Sequence, residues 1–210
     1  MSASLTEQLL GQLQGEPLQQ ISRQLGLGQA EAQSAIGTAL PLLIGALGRN
    51  ASQPQGAEAL YGALRNDFAG AGDLGALLGA VLGGTQSRQT NGAGILGHVF
   101  GGRQLQAEAA LGQATGLGND KAGQLLRILA PIVLAFLAKQ VFGQKAQAGT
   151  PSDPTAQLLG SILGQEQQHL RQQGGLGGGL LGAVLDQDGD GQFGLGDLLK
   201  IGSGLLGGKR

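Results

Sequence analysis

The sequence predicts an all-α protein: duplicated helical units forming one bundle, followed by a short C-terminal appendage. Three observations carry this expectation. Leucine and isoleucine recur three and four residues apart, the spacing that puts side chains on one face of a helix. Prolines stand at helix starts and glycines at helix ends. One pattern of glycine, alanine, proline and leucine occurs twice, at an offset of 90 residues.

The elements follow in order. Leu5, Leu9, Leu10 and Leu13 define a first amphipathic helix, and Leu18, Ile21 and Leu25 a second, after Pro17 in its opening turn. Gly26 ends that helix, because glycine adopts the left-handed conformation of a C-terminal cap without steric cost. A helix is expected over 29–40 and an apolar one over 41–47, then a loop over 48–56 holding Asn50, Ser52 and Pro54. Leu60, Tyr61, Leu64 and Phe68 form one face of a further helix.

The repeat aligns Gly26-Leu27-Gly28 with Gly116-Leu117-Gly118, Ala32 with Ala122, Pro41 with Pro131 and Leu47 with Leu137. Upstream, an offset of 86 pairs Leu9-Leu10-Gly11 with Ile95-Leu96-Gly97. Two related units, about 5–50 and 93–142, are therefore expected within a helical domain over 1–143, each offering an apolar face to the other. Two shorter echoes accompany the repeat. Leu77-Leu78-Gly79-Ala80-Val81-Leu82 recurs unchanged as Leu180-Leu181-Gly182-Ala183-Val184-Leu185, and Thr6-x-Gln8-Leu9-Leu10-Gly11 as Thr155-x-Gln157-Leu158-Leu159-Gly160. Leucine and glycine bias offers a second explanation for both.

Beyond the bundle, 144–154 has linker composition, 165–173 is polar on nearly every side, and 174–179 is almost all glycine. This gives a linker and polar, exposed helix end over 144–176 and a Gly/Leu-rich segment over 177–210. The tail reads as a separable, looser appendage.

Composition excludes several functions. Charged residues make up 13% of the 210, and there are 42 glycines, against a usual ~25% and ~7%. Aromatics are 3%, so the core is built from Leu, Ile, Val and Ala at short helix–helix distances. Net charge is −1, which removes the phosphate attraction that dominates non-specific nucleic-acid binding. The segment 18–40 has the outline of a helix–turn–helix, yet 29–40 contains no Lys or Arg. A nucleic-acid-associated module is thus kept only as the alternative, and no nucleic-acid partner is expected. There is no cysteine, so disulfides, thiolate metal sites and cysteine nucleophiles are absent.

The most apolar run, 128–138, is eleven residues, short of the ~20 that span a bilayer. A buried core helix is expected there, and no transmembrane segment. Surface attachment through Leu/Gly-rich amphipathic segments is disfavoured by their lack of Lys and Arg. The first residues lack a basic region and an apolar stretch, so no signal peptide is expected and the location expected is cytoplasmic. His98 reads as a packing residue and His169 as exposed. Neither accompanies a nucleophile motif, and the expectation is that the protein is not an enzyme.

One stretch carries specific chemistry. Asp186-Gln187-Asp188-Gly189-Asp190-Gly191-Gln192-Phe193-Gly194-Leu195-Gly196-Asp197 fits a twelve-position, EF-hand-like calcium loop. Asp186, Asp188 and Asp190 take positions 1, 3 and 5, Gly191 the sharp turn, Gln192 a carbonyl ligand at 7 and Asp197 the closing position. Carboxylates at alternate positions repel one another in a compact loop unless a hard divalent cation sits between them. Ca2+ is the expected cofactor, with Mg2+ the lesser fit because it takes fewer protein ligands. Two features depart from a full helix–loop–helix hand: Asp closes the loop where Glu is usual, and the preceding glycine-rich segment is a poor helix former.

The loop is similar to the calcium repeat of dockerin modules, in which Asp also closes the loop, although dockerins carry two such loops. The duplicated G-L-G-x3-A…P unit, the LLGAVLGG segment and the terminal D-x-D-G-D-G loop together resemble the bacterial domain of unknown function family 937, which is YidB-like. That resemblance implies a mostly helical protein with a homeodomain-like arrangement of helices, and no established activity. The function expected is a non-enzymatic, self-associating helical protein with one calcium-binding loop. Its expected partner is itself, as a homo-oligomer pairing through faces such as 74–82.

Overall fold

The computed structural model describes residues 4–68, 74–85, 87–143 and 156–173. Among these residues the secondary structure is entirely helical: α1 (Leu5–Leu13), α2 (Glu16–Leu25), α3 (Gln29–Ala51), α4 (Pro54–Ala63), α5 (Leu74–Leu82), α6 (Gly92–Phe100), α7 (Gln104–Thr115), α8 (Asn119–Gly143) and α9 (Ala156–Gln173). A π-helical turn, Leu64–Phe68, continues α4, and a 3-10 turn, Gly101–Arg103, leads into α7. The acidic loop with Asp186, Asp188, Asp190, Gln192 and Asp197 lies outside the described residues.

Two long helices form the centre. α3 packs against α1, α2, α4, α7, α8 and α9, while α8 packs against α3, α5, α6, α7 and the π turn. Ala39 to Gly48 on α3 and Leu129 to Ala138 on α8 are buried all round. Small side chains allow that depth, since the alanines and Gly45 let neighbouring helices approach closely. Apolar burial at roughly 25 cal/mol per Å2 is the main stabilising term for such a core.

Pro41 and Pro131 both lie inside these central helices. The expected break at Pro41 is absent: 29–40 and 41–47 are one helix, which continues to Ala51 and leaves a turn of Ser52 and Gln53 where a longer loop was expected. An interior proline removes one backbone hydrogen bond and costs ~3 kcal/mol. The continuous burial on both sides of Pro41 outweighs that cost. At Pro131 the freed carbonyl belongs to Arg127. Gly92, at the start of α6, sits so close that a β-carbon there would lie 2.0 Å from the Arg127 oxygen. The approach suits a weak Cα–H···O contact to an oxygen that has lost its helical donor.

The run 128–138, too short for a membrane span by itself, belongs to a much longer helix. α3 and α8 both reach membrane-crossing length and apolarity, but 67% and 78% of their most apolar windows are buried by other helices of the protein.

Two pairs of helices, α1 with α6 and α2 with α7, share local detail. α1 and α6 each have nine residues and a side-chain N-cap: Ser4 Oγ accepts from Glu7 N–H at 3.1 Å, and Asn91 Oδ1 from Gly94 N–H at 3.0 Å. Glu7 returns a bond to Ser4 N–H, completing a capping box. α2 and α7 both end on left-handed glycines, Gly26 at φ 60° and Gly116 at φ 73°. Helix bounds and buried positions of α1 and α6 align at an offset of 87, which pairs Leu9 with Leu96 and Leu13 with Phe100.

α9 departs most from expectation. Residues 165–173 were expected to form an exposed polar helix end on a loose appendage. Gln165, Gln168 and His169 are exposed, as expected, but the helix is not loose: α9 lies along α3 and α4 with Leu159, Leu163 and Glu166 buried. Gln167 Nε2 donates to the Gly45 carbonyl at 3.0 Å, and its side chain lies over Gly48, where any β-carbon would collide with it. Polarity around a helix is no guarantee of exposure when its carboxylate and amide groups find backbone partners.

Candidate ligand-binding cleft

The candidate site is a cleft of about 540 Å3 between α3, α4 with its π turn, α6 and α8. Its apolar wall includes Leu47 and Leu134 from the central helices, Leu60 and Phe68 from α4 and the π turn, and Ile95 and Val99 from α6. Such volume and lining fall in the range of small-molecule sites. Leu60, Leu64 and Phe68 are buried, as their spacing predicts, and Tyr61 leans on Phe142 with ring centroids 5.8 Å apart.

The polar rim comes from separate segments. Asp67 is on the π turn, Arg88 and Asn91 precede α6, Asn50 is in the last turn of α3 and His98 is on α6. Asn50 Nδ2 donates to the His98 carbonyl at 3.1 Å and so ties α3 to α6 beside the cleft. Gln89 Nε2 donates to the Asp67 carbonyl, fixing the π turn to the segment that carries Arg88. The wide turn brings Asp67 and Phe68 to the same cleft; π turns are frequent at functional sites.

His98 is not the packing residue expected from the sequence. Gly92, Leu96 and Phe100 form the buried line of α6, and His98, two residues from Leu96, faces away from it and is exposed. His169 is exposed as expected. The segment 74–82, expected to pair subunits, is used within the chain: Leu77 and Leu78 are buried as α5 packs on α2 and α8. Among the described residues no group of three or more His, Asp and Glu is placed to hold a metal ion.

Sequence reasoning missed Asn50, Asp67, Arg88 and Asn91 as a set. Among the cleft's apolar residues, Leu60 and Phe68 carried a signal, through the Leu60–Leu64–Phe68 face. The polar groups come from different turns and helices, and no local motif links them.

The architecture of the described residues defines a class: an all-α protein with two long buried helices and an apolar cleft edged by polar side chains. The chain belongs to the family described as bacterial protein of unknown function (DUF937), whose family profile matches residues 7–140. That span includes every helix from α2 to α7 and all the residues of the cleft. Comparison with curated proteins and with solved structures returns no match.

Proposed function

We propose that the chain is a non-enzymatic binding protein built from a duplicated three-helix unit: its cleft takes a small ligand with an apolar body and a polar end, and its loop over 186–197 takes calcium. The cleft's lining carries the reading. Leu47, Leu60, Phe68, Ile95 and Leu134 supply an apolar wall, while Asp67 and Arg88 supply one charge of each sign at the rim. The side chains lining it include no hydroxyl or thiol nucleophile. Recognition, by apolar contact with an oriented polar end, is the chemistry these groups support.

The calcium part rests on the donor pattern Asp186, Asp188, Asp190, Gln192 and Asp197. Self-association belongs to the same reading, through a surface other than α5. Leu105, at the start of α7, is 76% exposed and is the obvious anchor. The nucleic-acid alternative gains no such support, because the exposed first turns of α3 present Gln29, Glu31 and Gln33 and no cation.

Two titrations of the full chain test the proposal. Calcium is added to metal-free protein in a calorimeter, with the Asp186→Ala/Asp190→Ala variant as control. Saturable heat lost in the variant supports the loop assignment, and a flat trace in both removes it. The fluorescent probe anilinonaphthalene sulfonate is then titrated into wild type and Ala63→Phe, which places a ring in the cleft. Affinity falling by ~tenfold or more supports the cleft; equal affinity with an unchanged melting curve refutes it.

A further inference from the structure

Among its described side chains, α5 buries two, Leu77 and Leu78. It is nine residues long, below the length at which a helix is stable by itself. Leu77 and Leu78 are sunk against α2 and α8, with Val81 and Leu82 half-buried beside them. Ala76 and Gly79 face solvent. Among the described side chains of α5, the seat on α2 and α8 therefore reads one short run, Leu77, Leu78, Val81 and Leu82. Residues 180–185 repeat that run without a change: Leu180, Leu181, Gly182, Ala183, Val184 and Leu185.

We propose that the α5 seat on α2 and α8 is a docking surface for residues 180–185 of the same chain, which compete with residues 77–82 for it. Equal side chains in equal order make equal contacts, so the choice between occupants is set by their flanks and by how the second one is tethered. α9 supplies the tether. Glu166 is hydrogen-bonded to the start of α1 and Gln167 to α3, so the body holds α9. Residues 174–179 are all that separates the end of α9 from the second copy. A segment attached in this way acts at an effective concentration of order mM, far above that of a second molecule in dilute solution. Asp186, the first ligand position of the acidic loop, follows Leu185 directly, and a docked 180–185 would place that loop beside the bundle.

The test is amide hydrogen exchange, read by mass spectrometry on the full chain in calcium-free buffer, so that its result does not depend on whether the acidic loop binds a cation. Leu78→Ser weakens the first occupant. The expected result is exchange over residues 180–185 slowed by ~tenfold or more relative to wild type, with the long central helices α3 and α8 unchanged. Adding Leu181→Ser to that variant should abolish the gain. Exchange over 180–185 equally fast in wild type and Leu78→Ser overturns the proposal, as does a gain that survives Leu181→Ser. Protection that grows with protein concentration assigns the occupant to a second molecule and overturns it as well. Should Leu78→Ser lose its thermal transition, the milder Leu78→Ala is read in the same way.

Discussion

The carboxylate of Glu166 closes the first turn of a helix that begins 161 positions earlier. Its Oε1 accepts from the backbone N–H of Thr6 at 3.2 Å and from the Thr6 hydroxyl at 2.9 Å; Oε2 accepts from Leu5 N–H at 3.0 Å. The side chain belongs to a residue only 5% exposed. Early helical N–H groups have no intrahelical partner and carry the positive end of the helix dipole, so a buried carboxylate is well matched there. Ser4 and Glu7 satisfy two more donors at the same terminus. The start of α1 is therefore fastened from both ends of the described chain.

Removing that fastening is expected to loosen α9. Glu166→Ala should cost about 2–3 kcal/mol, the scale of losing hydrogen bonds to a charged group and leaving buried donors unpaired. Glu166→Gln, which keeps the shape and one acceptor oxygen, should cost less. Urea denaturation gives the magnitudes, and limited proteolysis within residues 156–173 should quicken in step. An unchanged denaturation midpoint in Glu166→Ala would show that the contact adds nothing to stability.

Two glycines of α6 are expected to respond with opposite signs. A β-carbon on Gly92 meets the Arg127 carbonyl oxygen at 2.0 Å and its carbon at 2.7 Å, both backbone atoms that cannot swing aside. Gly92→Ala should destabilise by about 1–3 kcal/mol, as overpacking does. Gly97 has open space around it. Gly97→Ala should stabilise by roughly 0.5–1 kcal/mol through helix propensity. Thermal melts of the two variants decide it, and equal shifts of one sign would contradict the packing described.

The turns at Gly26 and Gly116 should behave alike. Both hold φ in the left-handed region, at 60° and 73°, with open space where a side chain would go. Gly26→Ala and Gly116→Ala should each cost roughly 1–2 kcal/mol, from backbone conformation and not from collision. Asparagine, which tolerates that conformation better, should recover part of the loss at both positions. Costs that differ widely would argue against equivalent turns in the two halves.

The pair of Arg127 and Glu108 should matter far less than its geometry suggests. Their charged atoms are 3.9 Å apart, and the Arg127 side chain is 49% exposed. Glu108 also accepts from Gln104 Nε2 at 2.8 Å, so it keeps a partner when the arginine is removed. Arg127→Ala should cost at most about 1 kcal/mol, and salt should shrink the difference. Denaturation at low and high ionic strength measures both.

The helical class was legible because the pattern of Leu, Pro and Gly is local. Leu60, Leu64 and Phe68 fall on one buried face as their spacing implies, and Gly26 ends α2 as its chemistry implies. The pattern failed where distant packing outweighed local preference. Pro41 signals a break, yet α3 runs through it because both sides are buried. Residues 165–173 signal exposure, which holds for Gln165, Gln168 and His169, yet Glu166 and Gln167 find backbone partners on α1 and α3. Two residues shift the side-chain direction by more than half a turn of helix, which is why His98 beside Leu96 ends on the rim of the cleft.

The sequence by itself determined the helical class, the opening turn of α2 at Pro17 and its end at Gly26, the recurrence of G-L-G and proline at an offset of 90, and the acidic spacing over 186–197. Each depends on residues close together in the chain, where backbone conformation and short-range periodicity act. The tertiary structure alone decided that α3 and α8 lie at the centre, that α9 docks on α3 beneath the start of α1, and that Asn50, Asp67, Arg88, Asn91 and His98 edge one cleft. Those relationships join residues tens to more than a hundred positions apart. They are fixed by which apolar faces are buried together, and that choice is made by the whole chain at once.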